Sequence, residues 1–320
     1  MWKMFARRTL ILIPQLAALS LAVFLIGYHL PGDALTGMIS PDLPPQRVTE
    51  LRALHGLDDP WYVRYVRWTS SALRGDFGQS ISYRLPVTDI VAQRANNTLF
   101  LQMFTLSLLY LIAIPLGVIA GKYNGRAPEK AVSTYTYLML ATPTVVLALL
   151  VIFVFGFRLG VVPVRGSVEL GLAPGTLEYF LSRVHHSVAP ALTGALLGTV
   201  FIIHYLRSEI ADISGSDFVT TARSKGVPEG KIYTGHIFRN AVLPIASGVG
   251  SMVAALLGGS VFIESIFTYP GMGTLFLESI ERRDFSVLNT LVVLYGALIV
   301  LGSFLSDIII TVVDPRIRIK

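Results

Sequence analysis

Residues 217–244, which read DFVTTARSKGVPEGKIYTGHIFRNAVLP, form a long polar stretch between two apolar ones. A loop that only joined two neighbouring helices would need a few residues. This stretch is long enough for two helices and a turn. Its Gly-Val-Pro sequence at 226–228 predicts the turn, because glycine adopts the left-handed conformation that ends helices and proline often follows.

The residues before the turn predict a short helix. Ser214 and Ser216 are candidate N-caps. Phe218, Ala222 and Gly226 are spaced by four residues, so we expect them on one face of that helix.

The residues after the turn predict a second, amphipathic helix that begins at Glu229. Tyr233, Ile237 and Ala241 lie on one face of it, and Pro244 kinks or restarts the chain. A helix, a sharp turn and a helix could dock a cytoplasmic partner or lie on lipid headgroups, and shape alone leaves both possibilities open.

The composition of the whole chain is typical of an integral membrane protein. Hydrophobic residues make up 53% of it and charged residues only 14%, against about 25% in soluble proteins. The net charge of +6 fits basic cytoplasmic loops and does not indicate nucleic-acid binding. The absence of cysteine excludes disulfides, thiolate metal sites and cysteine nucleophiles.

Six apolar runs are long enough to cross a membrane, which takes about 20 residues per helix. We predict spans at 9–29, 98–121, 132–157, 188–206, 245–263 and 287–313. The fold class is therefore predicted as all-α integral membrane with six transmembrane helices. Pro115 and Pro143 should kink their helices, and the first run lacks a signal-peptide cleavage pattern.

Three basic clusters predict the orientation of these spans. They comprise Lys3, Arg7, Arg8, Lys122, Arg126, Lys130, Arg316, Arg318 and Lys320. With an even number of spans all three clusters lie on one side, which the positive-inside rule makes cytoplasmic. Both termini and the 207–244 loop are then cytoplasmic, and the 31–97 loop, with its predicted amphipathic helices, is extracytoplasmic.

The opening stretch also carries a family resemblance. Residues 221–226 read Thr-Ala-Arg-Ser-Lys-Gly, and residues 236–244 read His-Ile-Phe-Arg-Asn-Ala-Val-Leu-Pro. They resemble the cytoplasmic EAA loop of ABC importer permeases, in the form used by the dipeptide/oligopeptide/nickel branch. Thr220 stands where other branches have glutamate, and the distance from glycine to proline is longer; both departures resemble the peptide branch.

Short motifs elsewhere resemble the same branch in the same order. They lie at 7–8, 30–33, 57–60, 74–78, 269–273, 283–285 and 314–318. The resemblance implies a type I ABC importer permease fold. It divides the chain into a cytoplasmic tip with the first span at 1–30, the outer loop at 31–97, a five-helix core at 98–313 that includes the coupling loop 207–244, and a cytoplasmic tail at 314–320.

The resemblance implies that the short helix is a coupling helix seated in a groove of an ATP-hydrolysing subunit. Its coupling residues would be Asp217, Phe218, Thr221, Ala222, Arg223, Lys225 and Gly226. It also implies a second homologous permease, two ATP-binding subunits or domains, and an extracytoplasmic binding protein that delivers peptides. ATP and magnesium would reside in the partner subunits, because this chain has no Gly-x4-Gly-Lys-Ser/Thr phosphate loop. We therefore expect a transport subunit without its own cofactor, rather than an enzyme, in a bacterial or archaeal inner membrane.

Polar residues in or near the spans are candidate functional residues. Candidates for the translocation pathway are Gln102, Ser107, Thr142 and Asp307. Candidate contacts for the binding protein are Glu264, Tyr269 and Arg283. Intramembrane acids are often functional, although such polar residues more often link helices. The region 269–285 could equally form a surface or re-entrant helix that closes the mouth.

Other functions remain as alternatives. A secondary transporter or channel would call for buried charge pairs or repeated broken helices. An intramembrane protease would call for a serine, paired-aspartate or His-Glu-x-x-His site. We expect no metal site, because the adjacent His185 and His186 lack a third nearby ligand. Within the family resemblance, nickel or another small solute remains an alternative to peptides.

Overall fold

The structure is a computed structural model that describes residues 2–29, 44–54, 56–242, 245, 256 and 258–313. Its helices are α1 Trp2–His29, α2 Pro45–Leu54, α3 Trp61–Ala72, α4 Val87–Lys122, α5 Ala127–Ala141, α6 Thr144–Val151, α7 Leu177–Ser214, α8 Asp217–Ser224, α9 Glu229–Lys231, α10 Arg239–Ala241, α11 Val261–Ile266, α12 Met272–Glu281 and α13 Phe285–Val313. Wider π-helical turns at Ile152–Arg158 and Ile232–Phe238 follow α6 and α9.

Among the described residues, three helices are long and apolar enough to cross a membrane. They are α4, α7 and α13 as far as Gly302, and the bent pair of α5 with α6 and its π-helical extension gives a fourth if it is one span. A shorter apolar stretch, Ile13–Ile26, lies in α1. The predicted span 245–263 falls mostly outside the described residues. The all-α membrane class is confirmed, and the count of six stays a prediction.

The third predicted span is divided at Pro143. α5 ends at Ala141, α6 begins at Thr144, and the helix axes differ by 106°. Proline disfavours helical geometry in the preceding residue, and Thr142 is extended, with ψ 118°. The predicted kink is therefore confirmed here. Pro115 lies inside α4, which continues past it to Lys122.

The packing of α4 against α7 forms the centre of the molecule and depends on small residues. A Cβ at Gly198 would lie 2.4 Å from Cδ1 of Leu109, and one at Gly121 would lie 2.6 Å from Cβ of Ile210. Close approach of this kind is how helices commonly associate in membranes. α7 is a single helix of 38 residues, about 57 Å long. It therefore exceeds the roughly 30 Å hydrocarbon core of a bilayer and extends beyond it.

The outer loop contains the amphipathic helix that the sequence predicts. α3 packs against α1, where the Tyr65 hydroxyl donates to the Ala17 carbonyl at 3.3 Å and the Tyr65 ring meets Phe24 edge-on at 5.3 Å. Tyr62 and Val66 on α3 are exposed. α4 begins at Val87, so the predicted boundary at 97/98 falls inside this helix.

Candidate coupling surface and outer polar cluster

α8 follows the end of α7 after a tight turn and is anchored through one face. Val219 and Ala222 are buried. They belong to an apolar platform with Leu206, Ile210, Ile232, Ile237 and Ala241. The platform therefore fixes the short helix to the C-terminal part of α7, although eight residues would not form a stable helix alone.

The remaining surface of α8 and its turn is exposed. The exposed members of the predicted coupling set are Asp217, Phe218, Thr221, Arg223, Lys225 and Gly226. Ala222 is buried, so it supports the helix from below. Phe218 and Ala222 lie four residues apart within α8, as predicted, but Ala222 packs with Val219 in the platform while Phe218 remains 48% exposed, and Gly226 lies beyond the end of the helix. Aromatic residues, including phenylalanine, are enriched in protein–protein interfaces, so Phe218 is a candidate contact for a partner.

The turn after α8 has the geometry that its sequence predicts. Gly226 has φ +72°, in the left-handed region that glycine adopts at little cost. The Val227 N–H donates to the Ala222 carbonyl at 3.2 Å. Across the turn, Nε of Arg223 donates to Oε1 of Glu229 at 2.8 Å. The elbow formed by α8 and α9 is therefore held by both backbone and side-chain contacts.

The second helix of the loop differs from a regular amphipathic helix. α9 passes into the π-helical turn before α10 begins. Ile232 and Ile237, five residues apart, are both fully buried, as the wider spacing of π-helical turns allows. Ala241 is buried as predicted. Tyr233, predicted on the buried face, is half-buried beneath the Nζ of Lys122, which lies 5.2 Å from its ring centre.

The basic link between α4 and α5 lies at the same end of the bundle as this elbow. Nε of Arg207 in α7 contacts Oε1 of Glu129 in α5 at 3.0 Å. Lys122 reaches Tyr233 after the elbow, as described above. The predicted orientation requires these two regions to share one side.

A second group of polar residues lies at the opposite end of α4. We call Asn97, Thr98, Glu264, Tyr269 and Thr274 the outer polar cluster. Glu264 is fully buried, and its carboxylate accepts hydrogen bonds from the Thr98 hydroxyl at 2.9 Å and the Thr274 N–H at 3.0 Å. The Tyr269 hydroxyl donates to the Asn97 carbonyl at 3.2 Å. These donors compensate for the burial of the carboxyl group.

The turn between α11 and α12 fits closely around this carboxylate. A Cβ at Gly271 would lie 2.4 Å from the Glu264 carboxyl group. The Asn97 side-chain amide donates to the Pro270 carbonyl at 2.9 Å, and the Thr98 hydroxyl accepts from the Met272 N–H at 2.7 Å. The start of α12 is thereby fixed to α4, and a role of this region in closing the mouth stays a prediction.

The structure therefore corrects the position expected for two binding-protein contacts. Glu264 and Tyr269 were expected at the outer surface, but both side chains are fully buried because their partners lie inside the cluster. Arg283 is half-buried at the end of α12 and has φ +56°. Of the three candidates, only Arg283 has side-chain surface to offer a partner in this conformation.

Sequence reasoning missed the contacts that fix the outer loop to α12 and α13. The Ser82 N–H donates to Oδ2 of the buried Asp284 at 3.1 Å. The Tyr83 hydroxyl donates to Glu278, whose Oε2 also pairs with Arg94 at 3.1 Å. Burial, and then the hydrogen bond to Glu278, raise the pKa of Tyr83. No local sequence signal indicates these pairs, because the partners are about 200 residues apart.

The candidate pathway residues are not joined by any contact among the described residues. The Ser107 hydroxyl donates to the Met103 carbonyl at 2.8 Å, and the Thr142 hydroxyl donates to the Leu138 carbonyl at 2.7 Å. Gln102 is half-buried on α4. Asp307 lies in α13, and its side chain is outside the described part. A pathway role for these four residues stays a prediction.

The long apolar helices and the broken helix pair define an all-α membrane protein, and α8 forms an exposed elbow at one end of it. The fold resembles a chain of the MetNI methionine ABC transporter in its inward-facing conformations, with a TM-score of 0.55 and 17% sequence identity, covering 71% of this chain and 97% of that one. The family model described as binding-protein-dependent transport system inner membrane component matches residues 113–319. The chain belongs to this family.

Three named relatives align with nearly the whole chain. The oligopeptide transport system permease protein AppB of Bacillus subtilis is 35% identical over 313 residues, which is 98% of each chain. The glutathione transport system permease protein GsiC of Escherichia coli K12 is 32% identical over 315 residues, again 98% of each chain. A putative peptide permease protein of Brucella ovis is also 32% identical over 98% of each chain.

Proposed function

We propose that this chain is the membrane-spanning permease subunit of an ATP-driven importer of di- or oligopeptides. It would form the translocation pathway with a second homologous permease. Two ATP-binding subunits or domains would supply the energy, and an extracytoplasmic binding protein would deliver the peptide. The chain would lie in the inner membrane of a bacterium or archaeon, with both termini in the cytoplasm.

The exposed elbow is the observation that carries this proposal. α8 is fixed from below by Val219 and Ala222 and presents Phe218 outward. Burying a half-exposed phenylalanine in a partner groove removes apolar area from water and stabilises the complex. A surface that protrudes, is rigidly attached to a long helix and carries an aromatic residue suits a partner that pulls or pushes on it.

α7 supports the transmission of such a movement through the membrane. Its C-terminal part holds the α8 platform through Leu206 and Ile210. Nearer its N-terminus, the Ser187 hydroxyl lies 3.5 Å from the Tyr269 hydroxyl of the outer polar cluster. One continuous helix therefore touches both regions, so a shift of the elbow would be felt at the outer end.

The cargo is proposed from the relatives. Their names specify oligopeptides, peptides and glutathione, and the last is itself a small peptide derivative. Peptide is accordingly the cargo class that agrees with all three. Nickel and other small solutes are the competing cargo classes, to be distinguished by uptake.

The test is the substitution Phe218→Ala in the full chain, purified with its accompanying subunits. We expect about 30-fold weaker retention of the ATP-binding subunit, since truncation of an interface anchor typically costs 2 kcal/mol or more. ATP-dependent uptake of a labelled dipeptide into proteoliposomes should fall in parallel. Subunit retention and uptake are measured on the same preparation.

Phe180→Ala is the matched control, because Phe180 is also half-exposed, at 52%, but lies near the other end of α7. Phe180→Ala should keep both the retention of the ATP-binding subunit and the ATP-dependent uptake of the labelled dipeptide. Full subunit retention and uptake in Phe218→Ala would contradict the coupling role of α8. Uptake of nickel, with no uptake of peptides by the unaltered complex, would contradict the cargo proposal while leaving the coupling role intact.

A further inference from the structure

A cavity of about 600 Å³ lies beside the elbow, on the side of the α4–α5 link. Its lining includes Lys122, Tyr123 and Arg126 from the link, together with Arg223, Glu229 and Tyr233 from the elbow. The volume lies in the usual range for sites that hold small molecules or headgroups, about 300–1,000 Å³. Arg223 is the one lining residue that also belongs to the predicted coupling set, and no member of the outer polar cluster lines this cavity.

The charges around the cavity favour an anion. Lys122, Arg126 and Arg223 supply three cations, and Glu229 is the single carboxylate among the lining residues. Glu229 is already paired with Arg223 at 2.8 Å. No carboxylate among the described residues lies within ion-pair distance of Lys122 or Arg126, so two positive charges face the cavity without an acidic partner.

Helix ends modify this charge balance without reversing it. Lys122 is the last residue of α4, where its ammonium group also interacts favourably with the negative end of that helix. Arg126 precedes the first turn of α5, whose positive end favours a bound anion. Arg126 is therefore the cation whose charge is least compensated by neighbouring groups.

The cavity lies where helix ends meet, a position that suits a membrane–water boundary. α4 ends, α5 begins and α7 ends around it, so three helix ends meet there. The Lys122 ammonium lies 5.4 Å from the ring centre of Tyr123 and 5.2 Å from that of Tyr233. Tyrosines are enriched at this boundary in membrane proteins. Ile119, one turn before Tyr123 on α4, is exposed and apolar.

We propose that this cavity binds the phosphate-bearing headgroup of an anionic phospholipid. Basic pockets between transmembrane helices on the cytoplasmic side are suited to such headgroups. Lys122 and Arg126 contact the phosphate, and Ile119 lies beside the first methylene groups of an acyl chain. A soluble phosphate would match the two cations but would not use the apolar side chain or the boundary position.

The lipid would rest against the elbow as well as the link. Arg223 and Glu229, which brace the turn after α8, both line the cavity. A headgroup in the cavity therefore stabilises the elbow in its present position by linking it to α4 and α5. The lipid site rests on the orientation given under the proposed function, with the α4–α5 link on the cytoplasmic side, but not on the proposed cargo or ATP-binding partners.

The experiment measures lipid binding directly on the full chain. The protein, with any subunits that accompany it, is delipidated in a neutral detergent and titrated with phosphatidylglycerol or phosphatidylcholine. Native mass spectrometry counts the lipids bound. We expect at least one phosphatidylglycerol to bind about tenfold more tightly in the unaltered chain than in Lys122→Gln or Arg126→Gln, because each variant loses a charge-assisted contact. Phosphatidylcholine should bind weakly in all forms.

Lys130→Gln is the matched control, since Lys130 is an exposed lysine on the same link and α5 end but does not line the cavity. It should keep the affinity of the unaltered chain for phosphatidylglycerol. If Lys122→Gln and Lys130→Gln lost the same affinity for phosphatidylglycerol, the binding would depend on overall surface charge, and the proposed site would be wrong. Binding of inorganic phosphate or ATP that depends on Lys122 and Arg126, without binding of phosphatidylglycerol, would overturn the lipid assignment.

Discussion

The elbow exposes most of its polar residues, whereas the outer polar cluster buries them. At the elbow, six of the seven predicted coupling residues are exposed, and α8 rests on the apolar platform, with the exposed pair of Arg223 and Glu229 across the turn that follows it. In the outer polar cluster all five polar residues are buried and bonded to one another or to nearby backbone. One end therefore presents a surface to something outside the chain, and the other end satisfies its polar groups internally.

The two ends depend on different interactions to satisfy their polar groups. A buried carboxylate is tolerated only with compensating donors, so the outer polar cluster must stay assembled as a unit. The exposed elbow has no such requirement, because water satisfies its polar groups until a partner replaces the water. We therefore expect substitutions in the cluster to affect folding first and substitutions at the elbow to affect assembly first.

The largest expected effect comes from Glu264→Ala. Removing the carboxylate leaves the Thr98 hydroxyl and the Thr274 N–H as buried donors without their acceptor, and each unsatisfied group costs about 1–3 kcal/mol. We expect the free energy of unfolding to fall by about 3 kcal/mol or more. Thermal unfolding of the purified protein in detergent measures the change.

Glu281→Ala is the control for this substitution, because Glu281 is exposed at the end of α12. Surface substitutions of this kind usually change stability by less than about 0.5 kcal/mol. If Glu264→Ala were as stable as Glu281→Ala, the cluster would not be the closed structural unit described here, and the contrast with the elbow would fail.

A smaller effect is expected from Gly226→Ala at the elbow. A Cβ there meets no atom within 4 Å, but φ +72° is unfavourable for an L-residue by about 1–2 kcal/mol. The strain should loosen the turn, raising the rate of proteolysis within residues 217–244 and lowering the cargo moved per ATP hydrolysed. Global thermal stability should change little, because the residue is exposed.

Gly230→Ala separates this conformational effect from the added methyl group. Gly230 also has no atom within 4 Å of a built Cβ, but its φ is not positive. It should keep the original proteolysis rate and the original ratio of cargo to ATP. Equal proteolysis of the two variants would show that the left-handed turn does not fix the elbow.

The smallest effect is expected from Tyr83→Phe beside the outer polar cluster. The raised pKa of Tyr83 means that the unfolded chain releases the phenolic proton first as pH rises. Tyr83 therefore lowers the free energy of unfolding above pH about 10 and has no pH-dependent effect below it. At neutral pH the free energy of unfolding of the variant should be about 1 kcal/mol lower, because the hydrogen bond to Glu278 is lost. Above about pH 10 its free energy of unfolding should fall less steeply than that of the unaltered chain.

Denaturant titrations between about pH 8 and pH 11, from about two units below to about one unit above the ordinary tyrosine pKa, compare the free energies of unfolding of the two proteins. Tyr62→Phe, an exposed position on α3, is the control and should follow the unaltered chain. A Tyr83→Phe curve parallel to the original at every pH would contradict the raised pKa of Tyr83.

Local features were predictable from the sequence. A short helix was predicted before the Gly226 turn and is found at Asp217–Ser224, and the left-handed turn at Gly226 follows from its glycine and proline. Composition and apolar run length gave the membrane class. These features depend on residues that are neighbours along the chain, so a window of the sequence contains the necessary information.

Non-local features were not predictable. Glu264 looks like an inexpensive acid at the end of an apolar run, because its partner Thr98 lies 166 residues away. The buried face of the second elbow helix shifted to include Ile232, since a π-helical turn replaces the assumed period of 3.6 residues. In both cases the decisive contact is set by tertiary packing rather than by local periodicity.

The uninterrupted length of α7 has a geometric consequence for the whole molecule. A stiff rod about 57 Å long, tilted by about 5°, carries its far tip through roughly 5 Å. That arc is about the rise of one helical turn. A small rotation at one end of α7 would thus displace the other end by about the same arc, unless the helix bends at Pro190, the proline in its interior.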